Sequence, residues 1–375
     1  MSATARLRIT TGIDLPLAPS CGSMIFCSDL YREMADRART TFLALPPADP
    51  AWQHGFEETV FATAAKAPYG PGFAAYVDAL TGEVRRHLDR ARPDVIHAQH
   101  LGFGLSLAFV RAAQGTPVVA IAHGTDVIAA DADPLARDVL TEIVAGATTV
   151  VAPNHALAER IGDLTGHRYR DKMALVPWGI PLARAARTVP ATHTDTRPLR
   201  LLHAGRLDAN KSTRTAVEAM ALTDHRHELT VIGSGPEQDA LQQQARDLGL
   251  TGRVRFEPFA PRDALWQRFA DFDAFVFTTS GLEAFGLVAI EAQAHALPVI
   301  YSDVAGMTRT LGAAGLPYTP GDAADLAQVI DKLAADRTLR AELSTAGLAN
   351  GSCYGIVHSA HRLDQVTRDA IGAAA

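Results

Sequence analysis

The chain has 375 residues, of which 47% are hydrophobic and 20% are charged. This length and composition predict two or three globular domains with substantial cores. The formal charge is -6, from 35 basic and 41 acidic residues, which excludes bulk electrostatic attraction to nucleic acid. Any phosphate group that the protein binds must therefore be held by a small local set of residues.

Cysteine usage and hydropathy indicate the compartment. Cys21, Cys27 and Cys353 lack the paired spacing of a metal site, and an odd number of cysteines does not suit a disulfide framework. The first nine residues lack the apolar core of a signal peptide, and no later apolar run approaches membrane-spanning length. We therefore expect a cytoplasmic protein without integral membrane association, and we leave its oligomeric state open.

Strand and helix patterns alternate along the first half of the chain. Apolar runs of strand length occur at 7–10, 41–45, 93–98, 117–122, 148–152 and 174–176. Helical patterns cover 24–38, 73–91 and 103–113, a breaker-rich turn covers 12–23, and an irregular insertion covers 46–72. Because such alternation builds βαβ units, it predicts a parallel α/β sheet.

The alternation resumes after residues 183–198, which lose periodicity and gather Arg, Thr and Pro as linkers do. Strand patterns follow at 199–204, 229–232, 254–256, 274–277 and 299–301, and helical stretches follow at 322–349 and 356–373. The sequence thus predicts an N-terminal domain at 1–182, a linker at 183–198, a second domain at 199–352 and a C-terminal helix within 353–375.

The stretch after the fourth predicted strand of the second domain is the strongest candidate for the site. A helical pattern begins near Gly286, so free N–H groups at Phe285, Gly286 and Leu287 predict an anion site at a helix N-terminus. Glu283 lies just before this site, and Glu291 lies about 7 Å further along the helix axis, at ~1.5 Å per residue. Carboxylates on both sides of a diphosphate suit a nucleotide sugar. The alternative is that both glutamates are solvated surface acids.

Two basic side chains lie in a turn after the first strand of the second domain. Arg206 and Lys211 follow Gly205 and precede a helical pattern, where forked hydrogen bonds and a compact charge suit a diphosphate. Two cations five residues apart are also common on solvated faces. Gly233 and Gly235 form a further strand-to-helix turn, which by itself is weak evidence for phosphate binding.

The first domain contributes a histidine and a turn. His123 stands at the carboxyl end of a predicted buried strand, where side chains face the ligand crevice of a parallel sheet. The alternative is a hydrogen-bonded structural histidine. Gly22 lies near the predicted start of a helix, where a backbone N–H can bind an anion, and a merely structural loop is an equal alternative.

These motifs resemble those of the family 4 glycosyltransferases. The stretch from Glu283 to Glu291 matches the signature E-x-F-G-x-x-x-x-E, residues 123–126 match an H-G-T-D tetrad, and residues 205–211 match a G-R…K element. The resemblance covers most of the chain. It implies an α/β protein of the GT-B fold, in which two doubly wound Rossmann-like domains face each other across a cleft and the last helix returns to the N-terminal domain.

The resemblance also implies a role for each candidate residue. Arg206 and Lys211 are expected on the diphosphate of the donor. Glu283 and His123 are expected beside the donor sugar and complete the catalytic set, while Glu291 is expected on the ribose. The wider donor-binding set is Gly22, Asp126, Gly205, Gly233, Gly235, Phe259, Ala284, Phe285, Gly286 and Leu287.

The chain departs from the family pattern at several positions. Cys21 stands where the family usually has the first glycine of a pair, and Ser212 also replaces a glycine. Trp178 replaces an asparagine of the V-P-N-G-V-D tract, so we assign no ligand role there. Arg309 replaces a glutamate, which removes the basis for assigning a function to its loop.

The resemblance thus implies a retaining transferase that moves a hexosyl or N-acetylhexosaminyl unit from a nucleoside-diphosphate sugar to a hydroxyl of a small soluble acceptor. Family frequency favours UDP over GDP or ADP. The D-x-D pairs at 131–133 and 271–273 lack a third ligand, so we expect no bound metal and no cofactor besides the donor co-substrate. A nucleotide-sugar epimerase and a non-catalytic nucleotide-sugar sensor are the alternatives.

Overall fold

The computed structural model describes residues 6–19, 21–46, 55, 57–61, 66–67, 69–184, 198–224 and 226–374. The chain divides into two compact units. Unit 1 is Met1–Gly179 with Ile356–Ala375, and unit 2 is Ile180–Gly355. Most of the predicted linker at 183–198, and much of the predicted insertion at 46–72, lies outside the described residues, so the predicted domain limits stay a prediction.

Unit 1 contains a parallel sheet that has seven strands within the described residues. Its strands are β1 (Leu7–Pro16), β2 (Ala38–Leu45), β3 (Glu57–Val60), β4 (Val95–Gln99), β5 (Val118–Ile121), β6 (Thr149–Ala152) and β7 (Met173–Leu175). Their spatial order is β3-β2-β1-β4-β5-β6-β7, and each neighbouring pair is parallel. The order reverses between β1 and β4, which is the switch point where ligands bind in doubly wound sheets.

Helices connect the strands of unit 1. They are α1 (Gly22–Glu33), α2 (Phe73–Ala91), α3 (Gly104–Ala112), α4 (Thr125–Ala132), α5 (Pro134–Gly146) and α6 (His155–Leu164). Every residue of the central strand β4 and of its neighbour β5 is buried, as a sheet covered on both faces requires. The helix predicted at 73–91 is confirmed, because its apolar residues recur at helical spacing along one face.

Unit 2 contains a second parallel sheet, which has six strands in the part of the chain that is described. They are β8 (Arg200–Ala204), β9 (Glu228–Ile232), β10 (Val254–Glu257), β11 (Ala274–Phe277), β12 (Val299–Ser302) and β13 (Leu316–Tyr318). Their order is β10-β9-β8-β11-β12-β13, with parallel pairs throughout. The switch point of this sheet therefore lies between β8 and β11.

The helices of unit 2 bury the apolar faces of its sheet. They are α7 (Thr213–Leu222), α8 (Gln238–Asp247), α9 (Arg262–Arg268), α10 (Leu287–Ala294), α11 (Met307–Leu311), α12 (Ala323–Ala335) and α13 (Arg337–Ser352). Leu201, Val231, Val276 and Ile300 of the strands form one buried cluster with Val217 of α7. The two doubly wound sheets confirm the predicted α/β class.

The first strand is longer than the sequence predicts, and the turn expected to begin at Gly12 is wrong. Strands β2 and β4 hold β1 from both sides as far as Gly12, and the pairing with β2 continues to Pro16. A side chain at Gly12 would collide with the carbonyl oxygen of Leu43. This glycine marks a close approach between strands and does not break the strand.

Two helices also differ from their predicted limits. Helix α1 ends at Glu33, because strand β2 already begins at Ala38. The stretch 322–349 is not one helix but parts of α12 and α13. The side chain of Asp336 accepts a hydrogen bond from the N–H of Leu339 and so caps the start of α13.

The last helix, α14 (Ile356–Ala374), packs within unit 1. The Ser359 hydroxyl donates to the carbonyl of Pro177 at 2.8 Å. Thr367 lies 2.9 Å from Nε2 of His97 on β4, and the Tyr31 hydroxyl lies 2.9 Å from Nδ1 of the same ring. No helix in the described ranges combines the length and apolar character needed to cross a membrane.

Replacing His97 tests how its burial links stability to pH. Burial lowers the pKa of His97 to about 3, below the unfolded value of about 6.5. The neutral ring therefore contributes stability that is fully present above pH 6.5 and is lost as the pH falls. Below pH 6.5 we expect His97→Gln to reduce the slope of unfolding free energy against pH by about 1.4 kcal/mol per unit.

Denaturant unfolding at several values between pH 7.5 and pH 5 measures this slope. The exposed His155→Gln on α6 is the matched control. Equal slopes for His97→Gln and the parent would show that His97 is not buried in the neutral form.

Candidate active site

Two loops meet at the switch point of unit 2, after β8 and after β11. The carbonyl of Asn210 accepts hydrogen bonds from the Ser280 N–H and the Thr279 hydroxyl, both at 3.0 Å. The Thr278 hydroxyl donates to the carbonyl of Lys211 at 2.6 Å. These bonds fix the backbone around Lys211 against the start of the loop that carries Glu283.

Lys211 and Glu283 form an ion pair across these loops. The Lys211 Nζ lies 2.7 Å from Oε2 of Glu283. Burial would raise the pKa of Glu283, but the Lys211 charge and hydrogen bonds from the Phe285 and Gly286 amides outweigh it and lower the pKa. The carboxylate is therefore ionised at neutral pH, beside a cation that is itself partly exposed.

The prediction of free amides at Phe285 and Gly286 is wrong, because both donate to Glu283. Helix α10 begins at Leu287, one residue after Gly286, so the helix start has the predicted position. In this structure the anion at the N-terminus of α10 is the carboxylate of Glu283, in the preceding loop. The side chains of Ala284 and Phe285 are buried, and the Phe285 ring packs edge-on against Tyr354 at 5.2 Å. Burial of these two side chains anchors the loop.

Gly286 is required by the geometry of this loop. Its φ of 71° lies in the left-handed region that side chains disfavour. A Cβ at this position would lie 2.7 Å from the sulfur of Met307 and 3.4 Å from the ring of Phe277. Both the backbone conformation and the packing therefore select glycine.

Arg206 lies in the loop after β8, at the same edge of the sheet as Lys211, and 67% of its side chain is exposed. Its Nε lies 2.6 Å from Oδ2 of Asp208. The other oxygen of Asp208 accepts the N–H of Lys211 at 3.3 Å and caps the short turn between them. Asp208 was not predicted from the sequence, although an aspartate before a turn is a usual capping signal.

The glycines of the neighbouring turns are explained by backbone packing. A side chain at Gly233 would collide with the carbonyl oxygen of Gly205, and one at Gly235 would collide with that of Leu207. The Leu207 N–H also donates to the carbonyl of Ser234 at 3.0 Å. These contacts hold the loops after β8 and β9 together, while a direct role in binding phosphate stays a prediction.

Glu291 and Phe259 lie in different environments. Glu291 is 5% exposed, and its Oε1 lies 3.0 Å from Nε of Arg262 on α9. Phe259 follows β10 and is 38% exposed. Leu287 is half-buried at the start of α10. Contacts of these residues with a nucleotide stay predictions.

In unit 1 the carboxylate of Asp126 organises the loop after β5. It accepts hydrogen bonds from the N–H groups of Leu101 at 2.6 Å, Gly124 at 2.7 Å, Val127 at 3.0 Å and His123 at 3.2 Å. Burial raises its pKa against the effect of these bonds. The buried carboxylate thus holds the backbone of this loop, including that of His123, while direct donor binding by Asp126 stays a prediction.

The ring of His123 is 6% exposed and lies in an aromatic cluster. It stacks on His100 with centroids 4.1 Å apart and lies 5.0 Å from Trp178, which stacks on Phe26 at 4.6 Å. Its Nε2 lies 2.8 Å from Oε1 of Gln99. Burial lowers the pKa of His123 to about 3, so the ring is neutral at physiological pH.

Gly22 is the first residue of α1, as predicted within two residues, and a Cβ there would meet nothing within 4 Å. Next to it, the Ser23 hydroxyl lies 3.1 Å from Nε2 of His100. His100 has a φ of 69° and is buried, and the sequence did not lead to it as a candidate site residue. The feature that indicates a site residue here is the position of His100 directly after β4, at the switch point of the sheet.

A buried acid was also missed because its strand was read as a turn. Asp14 on β1 is fully buried and accepts a hydrogen bond from the Tyr76 hydroxyl at 3.0 Å. Lys66 lies 3.8 Å from Asp14 and 2.9 Å above the ring of Phe103. Burial lowers the pKa of Lys66. This cluster adds charge near the switch point of unit 1.

The D-x-D pairs have structural partners. Asp131 accepts a hydrogen bond from Nε of Arg160 at 2.9 Å, and Asp273 accepts the N–H of Arg200 at 2.7 Å. Among the residues that the structure describes, no three histidine, cysteine or acidic side chains are grouped so that they could hold a metal ion.

Comparisons with solved structures identify the fold. Sucrose-phosphate synthase from Thermosynechococcus elongatus superposes with a TM-score of 0.83 at 20% identity, over 98% of this chain and 100% of that chain. Anabaena HepE, solved in complex with UDP-glucose, superposes with a TM-score of 0.81 at 21% identity, over 97% of this chain and 99% of that chain. These similarities confirm the predicted GT-B fold.

Sequence comparisons identify the family. Models described as glycosyl transferase 4-like domain and glycosyl transferases group 1 match residues 22–179 and 188–349. A D-inositol 3-phosphate glycosyltransferase of Pseudarthrobacter chlorophenolicus is 30% identical over 70% of this chain and 68% of its own length. A glycogen synthase of Mycobacterium tuberculosis is 27% identical over 67% of this chain and 63% of its own length. The chain belongs to the family 4 glycosyltransferases, as its motifs indicated.

Replacing Gly286 tests the loop geometry. We expect Gly286→Ala to lower the free energy of unfolding by about 1–3 kcal/mol, because alanine is strained at this φ and crowds Met307. Gly281→Ala in the same loop is the matched control, since its Cβ meets nothing within 4 Å, and its effect should stay below about 1 kcal/mol. Denaturant unfolding measures both, and equal effects would contradict the assigned geometry.

Proposed function

We propose that this glycosyltransferase transfers a hexosyl or N-acetylhexosaminyl unit from a nucleoside-diphosphate sugar to a hydroxyl of a small acceptor, with retention of configuration and without a metal ion. UDP is the proposed nucleotide. The observation that carries the proposal is the Lys211–Glu283 ion pair, held at the switch point of unit 2 by the loops after β8 and β11.

The cations of unit 2 support binding of a diphosphate. The exposed guanidinium of Arg206 is oriented by Asp208, and the ammonium group of Lys211 is 30% exposed. Both lie beyond the carboxyl end of β8, where anionic ligands bind in doubly wound sheets. The UDP and UDP-glucose complexes of Anabaena HepE, which shares the fold, support the choice of UDP.

Glu283 is proposed to orient the sugar. An ionised carboxylate that is fixed by two backbone amides accepts hydrogen bonds from sugar hydroxyls without reorganisation. A diphosphate bound at Lys211 would replace the carboxylate of Glu283 as the anionic partner of the ammonium group. His123 is proposed to contact a sugar hydroxyl, Glu291 the ribose, and Phe259 the base.

The proposed chemistry breaks the bond between the anomeric carbon and the diphosphate oxygen. Positive charge develops on the sugar and negative charge on the leaving group, which Arg206 and Lys211 stabilise where it forms. The acceptor oxygen then bonds to the anomeric carbon on the face that the diphosphate leaves. Its proton passes to an oxygen of the leaving diphosphate, so configuration is retained without a covalent enzyme intermediate.

Turnover of a substrate panel tests the proposal. The donors are UDP-, GDP- and ADP-sugars, and D-inositol 3-phosphate is the first acceptor because two-thirds or more of this chain aligns with relatives named for it. Proton NMR of the product reports whether the anomeric configuration is retained, and EDTA should leave the rate unchanged. Inversion, a requirement for added metal, or epimerisation of the donor without an acceptor would each contradict the proposal.

Replacing Lys211 tests whether its charge acts at the proposed diphosphate site. We expect Lys211→Met to lower kcat/KM by about 10²–10³-fold, because it removes a charge from the developing diphosphate. The matched control is Lys332→Met, at an exposed lysine of α12 in the same unit. Steady-state kinetics measure both variants, and equal rates would remove the basis for the site.

Replacing Phe259 tests the base contact. We expect Phe259→Ala to raise the Kd for UDP about fivefold, since stacking of a base on an aromatic ring contributes about 1 kcal/mol. The effect should be the same for UDP and UDP-glucose, because the sugar is not involved. Leu222→Ala, at an equally apolar exposed position of unit 2, is the control in calorimetric titrations. An unchanged Kd would place the base elsewhere.

A further inference from the structure

A continuous chain of buried polar groups in unit 1 connects α14 with His123. It passes from Thr367 to His97, then to Tyr31 and Gln99, and ends at the imidazole ring of His123. All five side chains are less than a tenth exposed. Each link is a hydrogen bond between groups that can exchange donor and acceptor roles. Which group donates in each link is therefore decided by the groups at the two ends of the network.

The first end is the hydroxyl of Thr367. Its single proton is donated to the carbonyl of Leu363, one helical turn earlier, at 2.7 Å. Towards His97 the oxygen of Thr367 can therefore only accept, so Nε2 of His97 carries a proton. Because burial keeps this ring neutral, its Nδ1 has a lone pair. The Tyr31 hydroxyl must donate to that lone pair, at 2.9 Å.

The second end is the hydroxyl of Thr11 on β1. It donates its proton to the carbonyl of His97 at 2.7 Å, so it accepts from Gln99 at 3.1 Å. Tyr31, whose proton is already directed to His97, likewise accepts from Gln99 at 2.7 Å. Both contacts require the NH₂ group of Gln99, which fixes the orientation of its amide.

The orientation of Gln99 decides the tautomer of His123. The amide oxygen of Gln99 faces Nε2 of His123 at 2.8 Å, and an oxygen without a proton can only accept. Nε2 of His123 therefore carries the proton, and Nδ1 has the lone pair in the neutral ring. This Nδ1 is buried and makes no hydrogen bond with any of the residues described. A buried acceptor without a donor is costly unless a ligand provides one.

We propose that Gln99 is a positioning residue that holds His123 as the Nε2–H tautomer, so that Nδ1 accepts a hydrogen bond from a substrate hydroxyl. The identity of that hydroxyl, on a sugar or polyol, rests on the function proposed above. The tautomer itself does not. A lone pair at this position attracts an O–H group and disfavours carbonyl, carboxylate or phosphate oxygens, so it would select which face of a substrate meets the ring.

Imidazole nitrogen NMR of the ¹⁵N-histidine-labelled full chain tests the tautomer directly, with His123→Ala providing the assignment. In the parent we expect Nε2 to be protonated and Nδ1 to be unprotonated for His123. We expect Gln99→Met to move the Nε2–H proton of His123 upfield, because its acceptor is gone, and to lower kcat/KM about two- to tenfold with the Kd for UDP unchanged.

The chain offers a matched control next to Thr11. Thr10 is also buried on β1, but its hydroxyl contacts Nε2 of His87 at 3.3 Å and lies outside this network. Thr10→Val should leave the His123 nitrogen signals and turnover unchanged, whereas Thr11→Val removes one acceptor of Gln99 and should shift them in the same direction as Gln99→Met. A shift of equal size in Thr10→Val would show a general effect of removing a buried hydroxyl.

Ligand additions identify the source of the hydroxyl. UDP alone should leave Nδ1 of His123 unchanged. A shift of Nδ1 towards the hydrogen-bonded position on adding UDP-glucose assigns the donor sugar, and a shift with D-inositol 3-phosphate alone assigns the acceptor. A protonated Nδ1, an unchanged Nε2–H in Gln99→Met, or transfer of sugar between these two probes without any Nδ1 shift would overturn the inference. Absence of turnover with every donor would instead contradict the proposed function, and the tautomer would still be decided.

Discussion

The candidate site of unit 2 depends on keeping one carboxylate ionised where it is largely removed from water. Burial alone would favour a neutral Glu283, and the neighbouring Lys211 together with two backbone amides reverses that preference. The same contacts determine the shape of the loop, since the amides belong to the residues that begin α10. The ionised state of Glu283 and the conformation of its loop therefore depend on the same contacts.

The candidate site residues of the two units differ in charge. Unit 2 places exposed or partly exposed cations at its switch point, whereas the His123 cluster of unit 1 is neutral. Stabilising a departing diphosphate needs full charges, but recognising sugar hydroxyls needs directional groups that do not compete for the same phosphates. Under the proposed function, the neutral imidazole of His123 would meet the second need, and the Asp126 carboxylate holds the backbone that carries it.

The sequence was sufficient for features that depend on local pattern. Apolar runs and helical spacing located most elements, and the structure brings two residues of the predicted motifs, Lys211 and Glu283, into contact. It was not sufficient where a hydrogen bond depends on the conformation of a loop or joins residues far apart in the chain. The use of the Phe285 amide by Glu283 is an example of the first, and the contact of Gln99 with His123 is an example of the second. Gly12 was misread because close strand packing and a turn select the same residue.

The link between Thr367 and His97 gives the final turns of α14 a chemical role as well as a packing role. A chain cut just before Thr367 would retain every aromatic ring around His123, yet the order in which protons are shared along the buried polar groups would no longer be imposed.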